Sequence, residues 1–257
     1  MILGLDIGNT STNAGLYHDE DILPYATFRY ATEKFADENK LFASIKDFIE
    51  AETKKHDGSI NGIVYSSVVP EINDAIDTLA SSYFNVEAFR ISHESNFTIK
   101  LMYNDPSKLG IDRIANAEAV HREYPGNRII VDIGTATTFC VILADGTFDG
   151  GMIIPGLSTA IKSLAKSTSN LPEVVFEKPD RLVARDTINA LKSGFFYAWN
   201  SIVEGIVTRI EQTYNEQFLL IFTGGLAKTA ATAIERPITI DEMLTMKGMK
   251  YIYDSRL

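Results

Sequence analysis

The sequence predicts an α/β protein of two similar domains, each a mixed β-sheet covered by helices, with a cleft between them. Three observations carry that prediction. The tripeptide Asp-Ile-Gly occurs twice, about half a chain apart and each time at the end of an apolar run: Ile2-Leu3-Gly4-Leu5-Asp6-Ile7-Gly8-Asn9-Thr10 and Arg128-Ile129-Ile130-Val131-Asp132-Ile133-Gly134-Thr135-Ala136-Thr137-Thr138. Both copies continue into a second strand-like run, Thr12-Asn13-Ala14-Gly15-Leu16-Tyr17 and Phe139-Cys140-Val141-Ile142-Leu143. The 257 residues, 45% of them hydrophobic, suffice for two domains with separate cores. Each copy reads as strand, tight turn, strand, with a carboxylate at the mouth of the turn. Glycine there permits positive φ or close approach, so the amides of the turn can face phosphate oxygens. A duplicated turn of this kind suggests a nucleotide held between two related halves.

The elements follow in order. After the Asp6 hairpin a third strand is expected near Tyr25 to Tyr30. An amphipathic helix from about Asp37 to Lys55 carries Leu41, Ile45, Phe48 and Ile49 on one face. A strand at Ile60 to Ser66 precedes a helix opened by Pro70 and running toward Tyr83. Then come a strand at Val86 to Ile91 and an extended stretch, Phe97 to Tyr103. Asn104-Asp105-Pro106 signals a helix start, with Leu109, Ile111, Ile114 and Ala115 at helical spacing. Pro125-Gly126 breaks the chain, which puts the domains at residues 1–125 and 126–257. The second half repeats the order. The run through Leu143 turns at Ala144-Asp145-Gly146-Thr147, a third strand reaches Ile154, and Pro155-Gly156 starts a helix. Thr187 to Tyr214 is a long helix with Ile188, Leu191, Phe195, Trp199, Ile202, Ile206 and Ile210 on one stripe. Phe218 to Phe222 is a buried strand ending in Thr223-Gly224-Gly225 before a further helix. Hairpin-rich strands followed by alternating helix and strand, twice over, form the actin-like ATPase pattern of paired ribonuclease-H-like domains.

Composition narrows the function. A net charge of −10 argues against nucleic acid as the main partner, and no basic run compensates. The single cysteine, Cys140, excludes a disulfide framework and fits a reducing compartment. The N-terminus has no charged leader with a cleavage site, and no apolar stretch approaches membrane-spanning length. The expectation is a soluble cytoplasmic protein with no membrane partner.

Asp6 and Asp132 are the paired carboxylates. At ~6 Å and an effective dielectric of about 20, two such charges repel by roughly 3 kcal/mol, so cations are expected beside them. Either aspartate alone reads as a turn cap; two copies followed by Gly and Thr point to a site. Gly8, Asn9 and Thr10, with Gly134, Thr135, Thr137 and Thr138, supply amides and hydroxyls for a polyphosphate. Thr223-Gly224-Gly225 allows close approach of an adenosine group. Gly110-Ile111-Asp112-Arg113 joins a carboxylate to a guanidinium at a helix start. A phosphoryl acceptor needs a base near its hydroxyl, and an anionic substrate suits a forked cation. From spacing alone, a helix-dipole partner and a surface ion pair are the better explanation of that cluster. There is no Gly-x-x-x-x-Gly-Lys-Ser/Thr loop or Gly-x-Gly-x-x-Gly, and the histidines lack metal-ligand spacing.

The motifs, taken in order, resemble a known family. Asp6 to Thr10, Ser66-Ser67-Val68-Val69-Pro70, Tyr103-Asn104-Asp105-Pro106, Gly110 to Arg113, Asp132 to Thr138, Gly150-Gly151, Pro155-Gly156, Leu171-Pro172 and Thr223-Gly224-Gly225 match type III pantothenate kinases over nearly the whole chain. That group is also called the Bvg accessory factor family. The resemblance implies an acetate/sugar kinase–Hsp70–actin fold and ATP-dependent phosphorylation of pantothenate, the first step of coenzyme A synthesis. It further implies a homodimer, magnesium with ATP, and a monovalent cation, potassium or ammonium. By motif, Asp6, Ile7, Gly8, Asn9, Thr10, Ser11, Thr12 and Asn13 bind ATP and Thr135 adds a phosphate contact. Asp132 holds the monovalent cation. Tyr103, Gly110, Ile111, Asp112 and Arg113 bind pantothenate, with Asp112 as proton acceptor, and Thr187 reaches the substrate of the neighbouring subunit. Cys140 and Ala198 depart from the common family residues, Asp and Gly. The rival reading is a nucleotide-binding transcriptional accessory protein without kinase activity; Asp112, Arg113 and Asp132 together argue against it.

Overall fold

Two six-residue strands with the same burial pattern organise the chain: β1, Ile2–Ile7, and β7, Arg128–Ile133. Every residue in each is buried except the penultimate aspartate, Asp6 or Asp132, which is partly exposed. A central strand covered on both faces reads as a continuous apolar run, which is why neither copy alternates in the sequence. The computed structural model describes residues 1–56 and 58–256. The chain divides into two units, Met1–Glu123 with Met243–Leu257, and Tyr124–Glu242.

In the first unit β1 pairs antiparallel with β2 (Ser11–Tyr17), and β2 with β3 (Ala26–Ala31). On its other edge β1 runs parallel to β4 (Gly62–Ser67), and β4 to β5 (Ala88–Arg90). Helix α1 (Glu38–Lys55) starts at Asp37, whose side chain accepts from the Lys40 amide at 2.9 Å, so its first turn is capped. Its Leu41, Ile45 and Ile49 join Leu3, Leu5 and Ile7 in one core. Each such buried side chain contributes roughly 1.5–3 kcal/mol. Pro70 opens a single 3₁₀ turn, Pro70–Ile72, and α2 follows at Asn73–Phe84. After the short β6 (Lys100–Leu101), Pro106 does the same at Pro106–Lys108. Leu109 then turns extended and α3 begins at Ile111, ending at Glu123. One continuous helix from Asn104 was expected; the break sets Gly110 at the start of its own helix.

The second unit repeats the topology. β7 pairs antiparallel with β8 (Ala136–Ile142), and β8 with β9 (Thr147–Pro155). β7 also runs parallel to β10 (Leu219–Thr223), and β10 to β11 (Thr239–Ile240). The orders β3-β2-β1-β4-β5 and β9-β8-β7-β10-β11 correspond strand for strand. Helices α4 (Leu157–Lys166), α5 (Thr187–Tyr214) and α6 (Ala227–Ala231) complete the unit.

The domain boundary at residue 126 holds only in part. The C-terminal helix α7 (Leu244–Asp254) groups with the first unit, not with residues 126–242. It is held there by the Tyr17 hydroxyl donating to the Met246 carbonyl at 2.9 Å and by buried Lys250 donating to the Asp19 carbonyl at 2.8 Å. Helix α5 buries Phe196, Trp199, Val203, Val207 and Ile210, so of the stripe named from the sequence Trp199 and Ile210 are core. Ile188 and Ile202 are 51% and 40% exposed, and Leu191, Phe195 and Ile206 are half-buried. The apolar residues of the helix cover a broad arc, wider than one buried face, so periodicity alone could not say which part of it is buried. Among the described residues no helix is long and apolar enough to cross a membrane.

Candidate active site

The first turn is built by the β1–β2 register, which sets Asp6 opposite Asn13 and Ile7 opposite Thr12. The Gly8 amide donates to the Ser11 carbonyl at 3.1 Å, so it closes the turn and does not face outward. Neither Gly8 nor Gly134 adopts positive φ, so of the two uses of glycine at these turns close approach is the one left. Asn9 and Thr10 stand exposed at the tip, whereas Ile7 and Thr12 lie buried beneath it. The Thr12 and Thr32 hydroxyls bond at 2.9 Å. Asn13 Nδ2 donates to Asp6 Oδ2 at 3.1 Å. Two cations that the sequence reading missed bear on the same turn. Arg29 donates to Ser11 Oγ from Nε at 3.1 Å and Nη2 at 2.8 Å, and Lys34 Nζ donates to Asn9 Oδ1 at 3.1 Å. The signal for Arg29 is its register opposite Asn13, which only strand pairing reveals.

Burial pushes the Asp6 carboxyl up to about 6, and the Asp112 charge adds to the effect; the Asn13 hydrogen bond and Arg29 oppose it. The carboxylate that presses on Asp6 is thus a neighbour within the first unit. Asp112 lies in the first turn of α3, and its Oδ1 accepts from the Arg113 amide at 2.8 Å. A Cβ on Gly110 would collide with that same oxygen, so glycine is the residue that leaves the carboxylate its place. Burial raises the Asp112 carboxyl above its usual range, against the Arg113 amide and guanidinium. His93 Nε2 donates to the Leu109 carbonyl at 2.7 Å, fixing the approach to Gly110. Ile111 and Arg113 are buried, and Tyr103 is half-buried after β6.

The second turn is one residue shorter, pairing Ile133 with Thr137, and the Gly134 amide donates to the Ala136 carbonyl at 3.0 Å. Thr135 is exposed, and its carbonyl accepts from Thr159 Oγ1 at 2.7 Å. Asp132 is in register with Thr223 on β10. Gly224 has φ +89, and a Cβ there would collide with Asp132 Oδ1 and the Ile133 backbone. The Thr223-Gly224-Gly225 turn therefore folds directly onto Asp132. Among the described residues the hydroxyls of Thr137 and Thr223 are buried without a hydrogen-bond partner, as is that of Ser66, which sits opposite Asp6 on β4. Such orphaned hydroxyls are uncommon in folded proteins. The Asp132 carboxylate and the Thr223 hydroxyl in register with it offer oxygen atoms, the type a hard cation prefers. Thr187 is exposed at the first position of α5, which Asp186 caps by accepting from the Asn189 amide at 2.9 Å.

Solved structures share the fold. The activator of the 2-hydroxyisocaproyl-CoA dehydratase from Clostridium difficile, with bound ADPNP, superposes with a TM-score of 0.55 at 14% identity, over 98% of this chain and 94% of that one. Component A of the (R)-2-hydroxyglutaryl-CoA dehydratase from Acidaminococcus fermentans gives 0.53 at 14% identity, over 98% and 96%. The fold is that of the actin-like ATPases and sugar kinases, as the duplicated strand–turn–strand units predict. Sequence relatives are more specific. The type III pantothenate kinase of Halalkalibacterium halodurans is 36% identical over 254 residues, covering 98% of both chains. That of Syntrophus aciditrophicus is 32% identical over 253 residues with the same coverage. The family model for type III pantothenate kinase matches residues 2–209. The chain belongs to the type III pantothenate kinase family.

Proposed function

We propose that this chain, a kinase transferring the γ-phosphoryl group of ATP to pantothenate, uses Asp112 as the base of that transfer. The observation that carries this reading is a raised, half-buried carboxylate, seated in the space left by Gly110 and sensed by Asp6 of the first phosphate turn. The pantothenate hydroxyl gives its proton to an Asp112 carboxylate oxygen as its own oxygen attacks the γ-phosphorus. The bond from that phosphorus to the bridging oxygen breaks, and ADP leaves. A carboxylate raised by burial accepts such a proton more readily than an ordinary aspartate. Tyr103, Gly110, Ile111 and Arg113 bind pantothenate, with the Arg113 guanidinium suited to its carboxylate. Asp6 to Asn13 bind the nucleotide, and Thr135 contacts a phosphate.

Magnesium supplies charge neutralisation on the phosphates. Among the described residues no three His, Cys, Asp or Glu side chains stand together as a metal cage, which fits an ion held chiefly by phosphate and water. Asp132, with the orphaned Thr223 hydroxyl opposite it in register, suits potassium or ammonium. The uncovered face of α5, from Ile188 to Ile206, supports a homodimer in which Thr187 serves the neighbouring site. A regulator without kinase activity has no use for a base at position 112. A biosynthetic enzyme with one buried cysteine belongs in the cytoplasm.

The test is a coupled assay of purified protein with ATP and pantothenate. Pantothenate-dependent ADP release and a phosphorylated pantothenate in the mass spectrum are expected. ADP release that ignores pantothenate would refute the reading.

A further inference from the structure

The segment from Arg29 to Lys34 carries two cations onto the first turn, and neither has a role in the family motifs. β3 sets Arg29 opposite Asn13, and the chain leaving β3 is pinned back over the turn by the Thr32 amide, which donates to the Thr10 carbonyl at 3.2 Å. The Thr12–Thr32 hydroxyl pair holds it from below. This places the Arg29 guanidinium on Ser11 and the Lys34 ammonium on Asn9, at the two ends of the exposed tip.

Both cations bond neutral oxygens of the turn. Among the described residues neither lies within ion-pair distance of a carboxylate, whereas Lys46, Lys55 and Lys250 in the same unit each have one. Arg29 also acts on the Asp6 carboxyl, lowering it against the larger effect of burial. A chain of net charge −10 repels a polyphosphate at long range, so local positive charge at the turn is needed to hold one. A bond from Lys34 to Asn9 is a weak use of an ammonium; phosphate oxygen is a stronger acceptor for the same donor.

We propose that Lys34, with Arg29, forms a clamp that contacts the polyphosphate of the nucleotide held by the first turn. The inference rests on the reading of Asp6 to Asn13 as a nucleotide site, and it assigns the charged contacts that those eight residues, with Asp6 their sole ionisable group, do not supply. On nucleotide binding, Lys34 leaves Asn9 Oδ1 for a phosphate oxygen, and the Asn9 side chain is released to the ligand.

The experiment measures binding of magnesium ADPNP to the whole protein by calorimetry, without pantothenate. Lys34→Met and Arg29→Met are each expected to raise Kd about tenfold to a hundredfold, the loss of one charge-assisted contact. Lys34→Gln, which keeps a donor for Asn9 but no charge, should lose as much as Lys34→Met. Lys34→Arg should bind within about threefold of wild type. The control Lys46→Met, on the exposed face of α1, should bind as wild type. In wild type the affinity should fall with added salt, and less steeply in Lys34→Met. KM for pantothenate should stay within about twofold in all. If Lys34→Met binds ADPNP within twofold of wild type, or if Lys34→Gln does while Lys34→Met fails, the clamp is overturned. Because binding is read without the acceptor, a chain that binds ADPNP through Lys34 yet leaves pantothenate untouched refutes the kinase reading and not the clamp.

Discussion

Replacing Asp6 by asparagine is expected to stabilise the free protein while disabling it. The Asp6 carboxyl titrates at about 6 in the folded chain, against 3.8 for the free group, mainly because burial strips its water and secondarily because Asp112 lies near. A difference of that size costs the folded state about 3 kcal/mol once the carboxyl is ionised in both states. The sign is opposite to that of a salt-bridged aspartate. Between about pH 4 and 6 the folded chain binds more protons than the unfolded one, so stability falls as pH rises through that window. Partial solvent contact makes 3 kcal/mol an upper figure. The asparagine oxygen still accepts from Asn13 Nδ2, so the 3.1 Å hydrogen bond survives while the charge is removed. At pH 8 a gain of about 3 kcal/mol corresponds to a Tm raised by roughly 6–12 °C for a chain of this size. At about pH 4, where wild-type Asp6 is protonated, the two proteins should melt within about 2 °C of each other. Thermal unfolding followed by circular dichroism at both pH values is the assay. Equal melting at pH 8, or the same advantage at both pH values, would refute the electrostatic reasoning. The stabilised variant should no longer bind magnesium ATP.

Three further outcomes are expected. Asp112→Asn should lower kcat by about 10²–10⁴ with fold and ATP binding intact, and because burial raises this carboxyl the acid limb of wild-type kcat should lie above that of an ordinary aspartate; near-wild-type kcat in the variant sinks the assignment. Exchanging potassium for sodium should weaken wild-type activity, and Asp132→Asn should abolish the response; equal rates in the two salts would show the cation assignment to be wrong. Mixing two inactive proteins, Asp112→Asn and Thr187→Arg, should restore activity after subunit exchange if each site takes Asp112 from one chain and Thr187 from the other. No recovery once heterodimers are shown to form rules out the shared site.

Much of the fold is legible in the residues because the relevant interactions are local. Asp37 caps α1 through an amide three residues away, and Gly224 is demanded by a backbone at φ +89. The two Asp-Ile-Gly runs announce β1 and β7 because a strand buried on both faces must be apolar throughout, and their correspondence extends to the order of five strands. The breaks after Pro70 and Pro106 were less legible. Proline tightens the first turn into 3₁₀ geometry, and whether a helix then continues depends on what the next residues pack against.

The sequence by itself determined that there are two related halves, where each strand–turn–strand unit lies, and which residues share the motifs of the pantothenate kinase family. Those are properties of period, spacing and residue type. Only the tertiary structure decided that Asp112 and Arg29 act on the Asp6 charge, that Arg29 and Lys34 bear on Ser11 and Asn9, and that Ser66, Thr137 and Thr223 bury hydroxyls without partners among the described residues. It also decided that α7 belongs with the first unit and that α5 buries Phe196 and Val203 while leaving Ile188 and Ile202 in solvent. Each of these depends on strand register or on the choice of buried face. Both are set by contacts between residues far apart in the chain, and a helix whose apolar arc is wider than one buried face holds no local record of that choice.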